Sequence, residues 1–244
     1  MIPPWAIPTL NLIYTSLSAN VGLSASEVDW AEVAFVDDES YIPPRQNGKT
    51  RWVVVHPSSN SISTRALKDL YTFIGHEQTH SIQNTISCDV PRWFKEGQAM
   101  WNEQKTTKAW DERVAREERQ RYQTAFQNLV GELNLDNWGA MQVKPDAIER
   151  QLTPEQKKKK QQDPSYSPPG PFSFGPDDIV SDESNTSARY FVSLTIFEFL
   201  EEKLGLKKLQ EAFNDIRKSE SCSSAELKKL IRDKYNTDIS SFFK

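Results

Sequence analysis

Apolar residues recur three and four apart in several stretches of this chain and run together in two others, a pattern that predicts helices around a small sheet. Leu10, Ile13, Tyr14 and Leu17 share one face behind a proline-rich lead, which predicts an amphipathic helix from Pro8 to about Leu17. Ala31-Glu-Val-Ala-Phe-Val36 and Arg51-Trp-Val-Val-Val-His56 have the length and β-branched composition of strands. The stretch between them, Asp37 to Lys49, carries Pro43-Pro44 and Asn47-Gly48 and reads as turns. A further helix is predicted from Ser63 or Thr64, with Leu67, Leu70, Tyr71 and Ile74 as its apolar stripe, and the two strands are expected to pack against it. A bend or stop follows by Ser87-Cys-Asp-Val-Pro91.

The next helix starts near Arg92 and runs, with interruptions, to about Phe126. Its charged middle, Asp111 to Arg121, reads as a solvated face with acid-base pairs three or four apart. Residues 153–186 differ in composition: Lys157 to Lys160 is a basic run, and Pro164 to Pro176 is crowded with Pro, Gly and Ser. They are expected to form a long, flexible, exposed loop, read as a disordered insertion in preference to a lid over a groove. Helical spacing returns from Tyr190 to Leu204, with Leu194, Phe197, Leu200 and Leu204 on one face and Gly205 as a stop. Another helix spans about Lys207 to Arg217, and Ser223-Ser-Ala-Glu226 is a capping-box start for a last one. The expectation is an α+β fold in one domain, with a small N-terminal sheet and its helix over 1–90 and a helical C-terminal lobe over 91–244.

With 244 residues the chain can bury a substantial core. A net charge of only -4 points to neither a nucleic-acid binder nor a strongly charged membrane binder. No run approaches the length of a membrane span. The first residues lack the basic region and long apolar core of a signal peptide, so the chain is expected either to be made without one or to begin after it. Cys88 and Cys222 can form one disulfide or stay as two free thiols, and the spacing favours neither.

Chemistry concentrates in Tyr71-Thr-Phe-Ile-Gly-His-Glu-Gln-Thr-His80. His76 and His80 are four apart, so on a helix they project from one face and reach one metal ion. Glu77 is turned by about 100° from His76, where it can serve as a base without being a ligand. The alternative is a surface helix with two chance histidines. It carries little weight in a chain with only three histidines, two of them in this pattern. A catalytic zinc ion takes three protein ligands and keeps one position open, so a third ligand is expected downstream. Glu96, sixteen residues beyond His80 in Pro91-Arg-Trp-Phe-Lys-Glu-Gly-Gln-Ala-Met-Trp101, completes a His-His-Glu set; the alternative is an ordinary early-helix glutamate.

These residues resemble the gluzincin-type zinc metallopeptidases, the class that contains thermolysin-like enzymes and the aminopeptidase N family. Ile74-Gly-His-Glu-Gln-Thr-His80 is similar to the active-site helix of the former, and Trp93-Phe-Lys-Glu-Gly-Gln-Ala99 to the Trp-x-x-Glu-Gly-x-Ala of the latter. The short separation of His80 and Glu96, and Gln83 three after His80, are closer to small bacterial peptidase-MA-like domains and plant-type basic secretory proteins. The similarity covers roughly 64–126 and 187–244.

The resemblance implies that Glu103, seven residues after Glu96, stands behind a metal ligand and orients it. It also implies that Tyr190, fifteen residues before Gly205, is a transition-state tyrosine; read from the stripe alone, Tyr190 is its first apolar member. The acidic residue found four after the third ligand in thermolysin-like enzymes is Met100 here. Trp138-Gly-Ala-Met-Gln142 lacks the glutamate that grips a substrate amine in the exopeptidases and lies after the zinc helix, so cleavage within chains is expected.

The function expected is zinc-dependent peptide-bond hydrolysis, with Glu77 as general base and Tyr190 assisting, by a monomer acting on a protein or peptide. The substrate would lie along a strand edge at Arg51 to His56; His56 itself has no assigned role. The resemblance favours a secreted or periplasmic setting. Two rivals stand beside it: a non-catalytic zinc-binding interaction module, and a hydrolase of a non-peptide amide.

Overall fold

A computed structural model describes residues 3–36, 51–55, 63–131, 133–139, 141–163 and 166–243. The chain is mostly helical with a small two-stranded sheet near its start, compatible with an α+β class. Helix α1 (Ala6–Asn20) buries Leu10, Ile13 and Leu17, the stripe expected of it. Strands β1 (Glu32–Val36) and β2 (Arg51–Val55) pair in parallel, and the Arg51 guanidinium grips Glu32 directly opposite it, Nη2 to Oε2 at 2.6 Å. The expected turns from 37 to 49, and His56, lie outside the described residues.

Ser63 caps the next helix by accepting from the Ala66 amide. The helix is continuous but not uniform: α2 (Thr64–Asp69) passes through a π-helical turn, Leu70–Ile74, into α3 (Gly75–Gln83). Such wide turns sit often at functional sites, and this one immediately precedes His76. Two buried side chains of α3, Gln78 and Ser81, hold Ala31, the residue before β1, and the Ser81 hydroxyl accepts from its amide at 3.1 Å. Gln78 Oε1 accepts from the Ala31 amide at 3.1 Å, and its Nε2 donates to the Ala31 carbonyl at 2.8 Å and to the Tyr14 hydroxyl at 3.2 Å.

Helix α4 (Arg92–Trp110) is the central element. Trp93, Phe94, Met100 and Trp101 are almost wholly buried on it, each contributing about 1.5–3 kcal/mol by leaving water. Asp111 ends α4 and caps α5 (Glu112–Gln127) by accepting from the Arg113 and Val114 amides, so the interrupted helical stretch expected from Arg92 to about Phe126 breaks here. Helix α8 (Thr186–Leu204) lies along α4, and Phe197 meets Phe94 edge-on at a centroid distance of 5.3 Å. The contact is close because Gly97 has no side chain: a Cβ there would stand 2.7 Å from Phe197 Cε2 and 2.8 Å from the Ser193 carbonyl. Gly205, at φ +74°, ends α8 and begins α9 (Leu206–Arg217). Ser223 and Glu226 form the expected capping box of α10 (Ser224–Tyr235). Cys88 and Cys222 are joined in a disulfide with Cα atoms 5.7 Å apart, fastening the α3–α4 loop to the segment before α10. Closing such a loop contributes about 2–4 kcal/mol.

All these elements belong to one compact unit, Met1–Asp136 with Asn185–Lys244; Asn137–Ser184 forms a second. In the second, β3 (Met141–Val143) pairs antiparallel with β4 (Ile179–Ser181), and helices α6 (Pro145–Gln151) and α7 (Pro154–Gln162) lie between them in the chain. The expectation of a long structureless loop over 153–186 is therefore corrected. Helix α7 buries no residue, so it shows no apolar stripe, and its signal was the capping box Thr153-Pro-Glu-Gln156. The proline-rich part is also held: the Gln151 amide exchanges two hydrogen bonds with the Ser173 backbone, and Arg150 pairs with Asp178 at 2.5 Å.

Candidate metal centre

The two helices that carry the predicted ligands pack against each other at small residues. Gly75 on α3 faces Thr106 on α4, whose Oγ1 would stand 3.3 Å from a Cβ at position 75. Further along α3, Thr79 meets Asn102 and Gln83 meets Lys95 and Gln98 in the earlier turns of α4, and His76, His80 and Glu96 converge. One ligand atom from each lies within 4.8 Å of the others. The Glu96 Oε2 atom is 3.3 Å from His76 Nε2 and 3.8 Å from His80 Nε2. Ligand atoms at zinc-bond lengths in a tetrahedral site stand about 3.3 Å apart, so small movements bring these donors onto one ion. The donor set fits zinc.

Both imidazoles are braced from behind. Glu103, almost wholly buried, places Oε2 3.2 Å from His76 Nδ1, and Gln83 places Oε1 2.8 Å from His80 Nδ1. In each ring the braced Nδ1 leaves Nε2 facing the Glu96 carboxylate. Position 100, where the thermolysin-like pattern has an acid, is a buried methionine in the core, and the carboxylate behind His76 comes from one turn further along α4.

The electrostatics follow from three carboxylates around two imidazoles. Burial works to lower the His76 pKa, but hydrogen bonds and charge from Glu103 and Glu96 outweigh it and raise it to about 10. Burial likewise opposes ionisation of Glu96, yet the contact with His76 and the charges of His80 and Arg92 hold it below its ordinary value. Glu77 has no such contact: burial pushes its pKa up, against the pull of both histidines.

Glu77 lines two cavities. One, about 370 Å³, is walled by His76, Glu118, Arg121, Tyr122 and Tyr190. The other, about 320 Å³, is walled by Asp29, Trp30, Trp52, His80 and Asn84. Tyr190 therefore stands at the site with its ring centroid 5.9 Å from that of His76, and its hydroxyl hydrogen-bonds Glu96. Burial and the Glu96 charge raise its pKa, so the phenol keeps its proton.

All six residues singled out in the sequence are thus brought together: His76, Glu77, His80, Glu96, Glu103 and Tyr190. Sequence reasoning assigned no role to Gln83, Gln78 or Tyr122. For Gln83 a signal existed, a polar residue three after His80 on one helical face. For Tyr122 there was none, since its place depends on how α5 packs. Comparison with protein-family models, curated proteins and solved structures gave no match.

Proposed function

We propose that this chain is a zinc-dependent peptide hydrolase of the gluzincin type that cleaves within polypeptides. The observation that carries this reading is the convergence of His76 Nε2, His80 Nε2 and a Glu96 oxygen beside a half-buried Glu77 that is not one of the three. His76, His80 and Glu96 would hold the ion. When bound, zinc supplies a Lewis acid that polarises a carbonyl and lowers the pKa of water from about 15.7 toward about 7.

The chain's own groups do the rest. The Glu77 carboxylate takes a proton from the attacking water and delivers it to the leaving amine nitrogen. The Tyr190 hydroxyl donates to the oxyanion that develops on the scissile carbonyl, an effect worth about 3 kcal/mol for a well-placed donor. Glu103 and Gln83 keep the imidazoles turned toward Glu96. Cavities on either side of Glu77 suit a substrate that continues in both directions from the cleaved bond. Trp52 of β2 lines one of them, which supports an extended segment lying along that strand. The Cys88–Cys222 disulfide supports an oxidising, extracytoplasmic setting.

The test is cleavage-site profiling on a denatured proteome, with and without a chelator, for the wild type and Glu77→Gln. Chelator-sensitive internal cleavage by the wild type alone is expected. A wild type that binds zinc but cleaves no peptide returns the molecule to a zinc-binding module or a hydrolase of another amide.

A further inference from the structure

We propose that Gln83 is a positioning residue that sets the His80 imidazole for metal binding and ties it to the backbone beside the third ligand. This rests on the zinc reading above. Gln83 is buried one turn after His80 on α3. Its Nε2 donates to the Lys95 carbonyl at 2.7 Å and to Gln98 Oε1 at 3.1 Å. A carbonyl can only accept, so the Lys95 contact fixes which end of the amide faces α4. The other end, Oε1, must then face His80 Nδ1, 2.8 Å away.

An amide oxygen also only accepts, so Nδ1 carries the proton and Nε2 keeps its lone pair on the side of Glu96. Lys95 immediately precedes Glu96. One side chain thus orients the second imidazole with its oxygen and grips the neighbour of the third ligand with its nitrogen.

The chemistry needs an amide here. A carboxylate at position 83 could accept from His80 but would have no donor for the Lys95 carbonyl. It would also add a fourth acid to Glu77, Glu96 and Glu103. The two histidines are therefore braced unequally, His76 by a charged group and His80 by a neutral one.

A mere cross-link between packed helices would stabilise the fold without tuning the metal. To separate the two, zinc is titrated against a chromophoric chelator into wild type, Gln83→Ala, Gln83→Met and Gln98→Ala. Visible spectra of the Co²⁺-loaded forms and melts of the metal-free forms are recorded alongside. Met fills nearly the same volume with no donor and only a weakly accepting sulfur, which keeps the test valid if Ala misfolds. Both position-83 variants are expected to bind zinc 10–100-fold more weakly, with displaced Co²⁺ bands. Gln98→Ala, which leaves the His80 and Lys95 contacts in place, should bind close to wild type. Wild-type affinity and spectrum in Gln83→Met, or an equal loss in Gln98→Ala, overturns the proposal alone. A wild type that takes up no zinc overturns the metal reading and this proposal with it.

Discussion

Glu103 Oε2 lies 3.2 Å from Nδ1 of His76, behind the imidazole whose other nitrogen faces Glu96. The two carboxylates overcome burial and raise the His76 pKa from 6.5 to about 10 in the metal-free chain. A histidine raised on folding stabilises the native state fully below its unfolded pKa, here 6.5, and that contribution is lost as pH rises toward 10. The metal-free protein is therefore expected to melt progressively lower across that window, and Glu103→Gln to flatten the decline. Zinc needs Nε2 unprotonated, so binding near neutral pH should release a proton from His76. Calorimetric titrations in buffers of different ionisation enthalpy read that proton directly; zinc uptake without release contradicts the ion-pair description.

Burial pushes the Glu77 pKa up in the metal-free chain, and the reaction needs this carboxylate ionised as the base, so the pH–rate profile should have an acid limb. Activity should fall as pH drops through that limb. Glu77→Gln should reduce kcat by about 10²–10⁴ while zinc stays bound. A metal assay on the purified variant distinguishes a lost base from a lost ion.

Tyr190 hydrogen-bonds a proposed ligand and also lines the cavity beside Glu77, and its proposed role is to donate to the oxyanion. Tyr190→Phe removes one donor and little volume. It is expected to lower kcat by about 10²–10³ with KM and zinc content nearly unchanged. Steady-state kinetics decide it, and a wild-type kcat would leave Tyr190 a member of the α8 stripe only.

Gly97 lets α4 and α8 approach until a Cβ at that position would collide with Phe197 and the Ser193 carbonyl. Gly97→Ala must push the helices apart at the residue next to Glu96. A loss of about 1–3 kcal/mol is expected from overpacking, or about 2–4 °C in Tm per kcal/mol for a chain of this size. An unchanged melting curve would show that the contact yields freely.

Much of this was legible in the amino-acid order. Four-residue spacing puts His76 and His80 on one side of any helix they share, and the stripe through Leu70, Tyr71 and Ile74 says which side turns inward. The capping box at Ser223 and the stop at Gly205 are local signals, and each is found where the chain carries it. Local rules see only neighbours in the chain. They missed α7, a helix held by its cap and not by an apolar face, and the π-helical turn ahead of His76. They also left the cysteines open, because bridging residues 134 apart depends on where two loops end up. Tertiary packing alone decided that α4 runs beside α3 with its first turns at the imidazoles. It brought Glu103 behind one ring, Gln83 against the Lys95 carbonyl, and Tyr190 across from Glu77. The side chains of the candidate site were written in the sequence; their meeting at one point required helix packing, which acts between residues that no spacing rule connects.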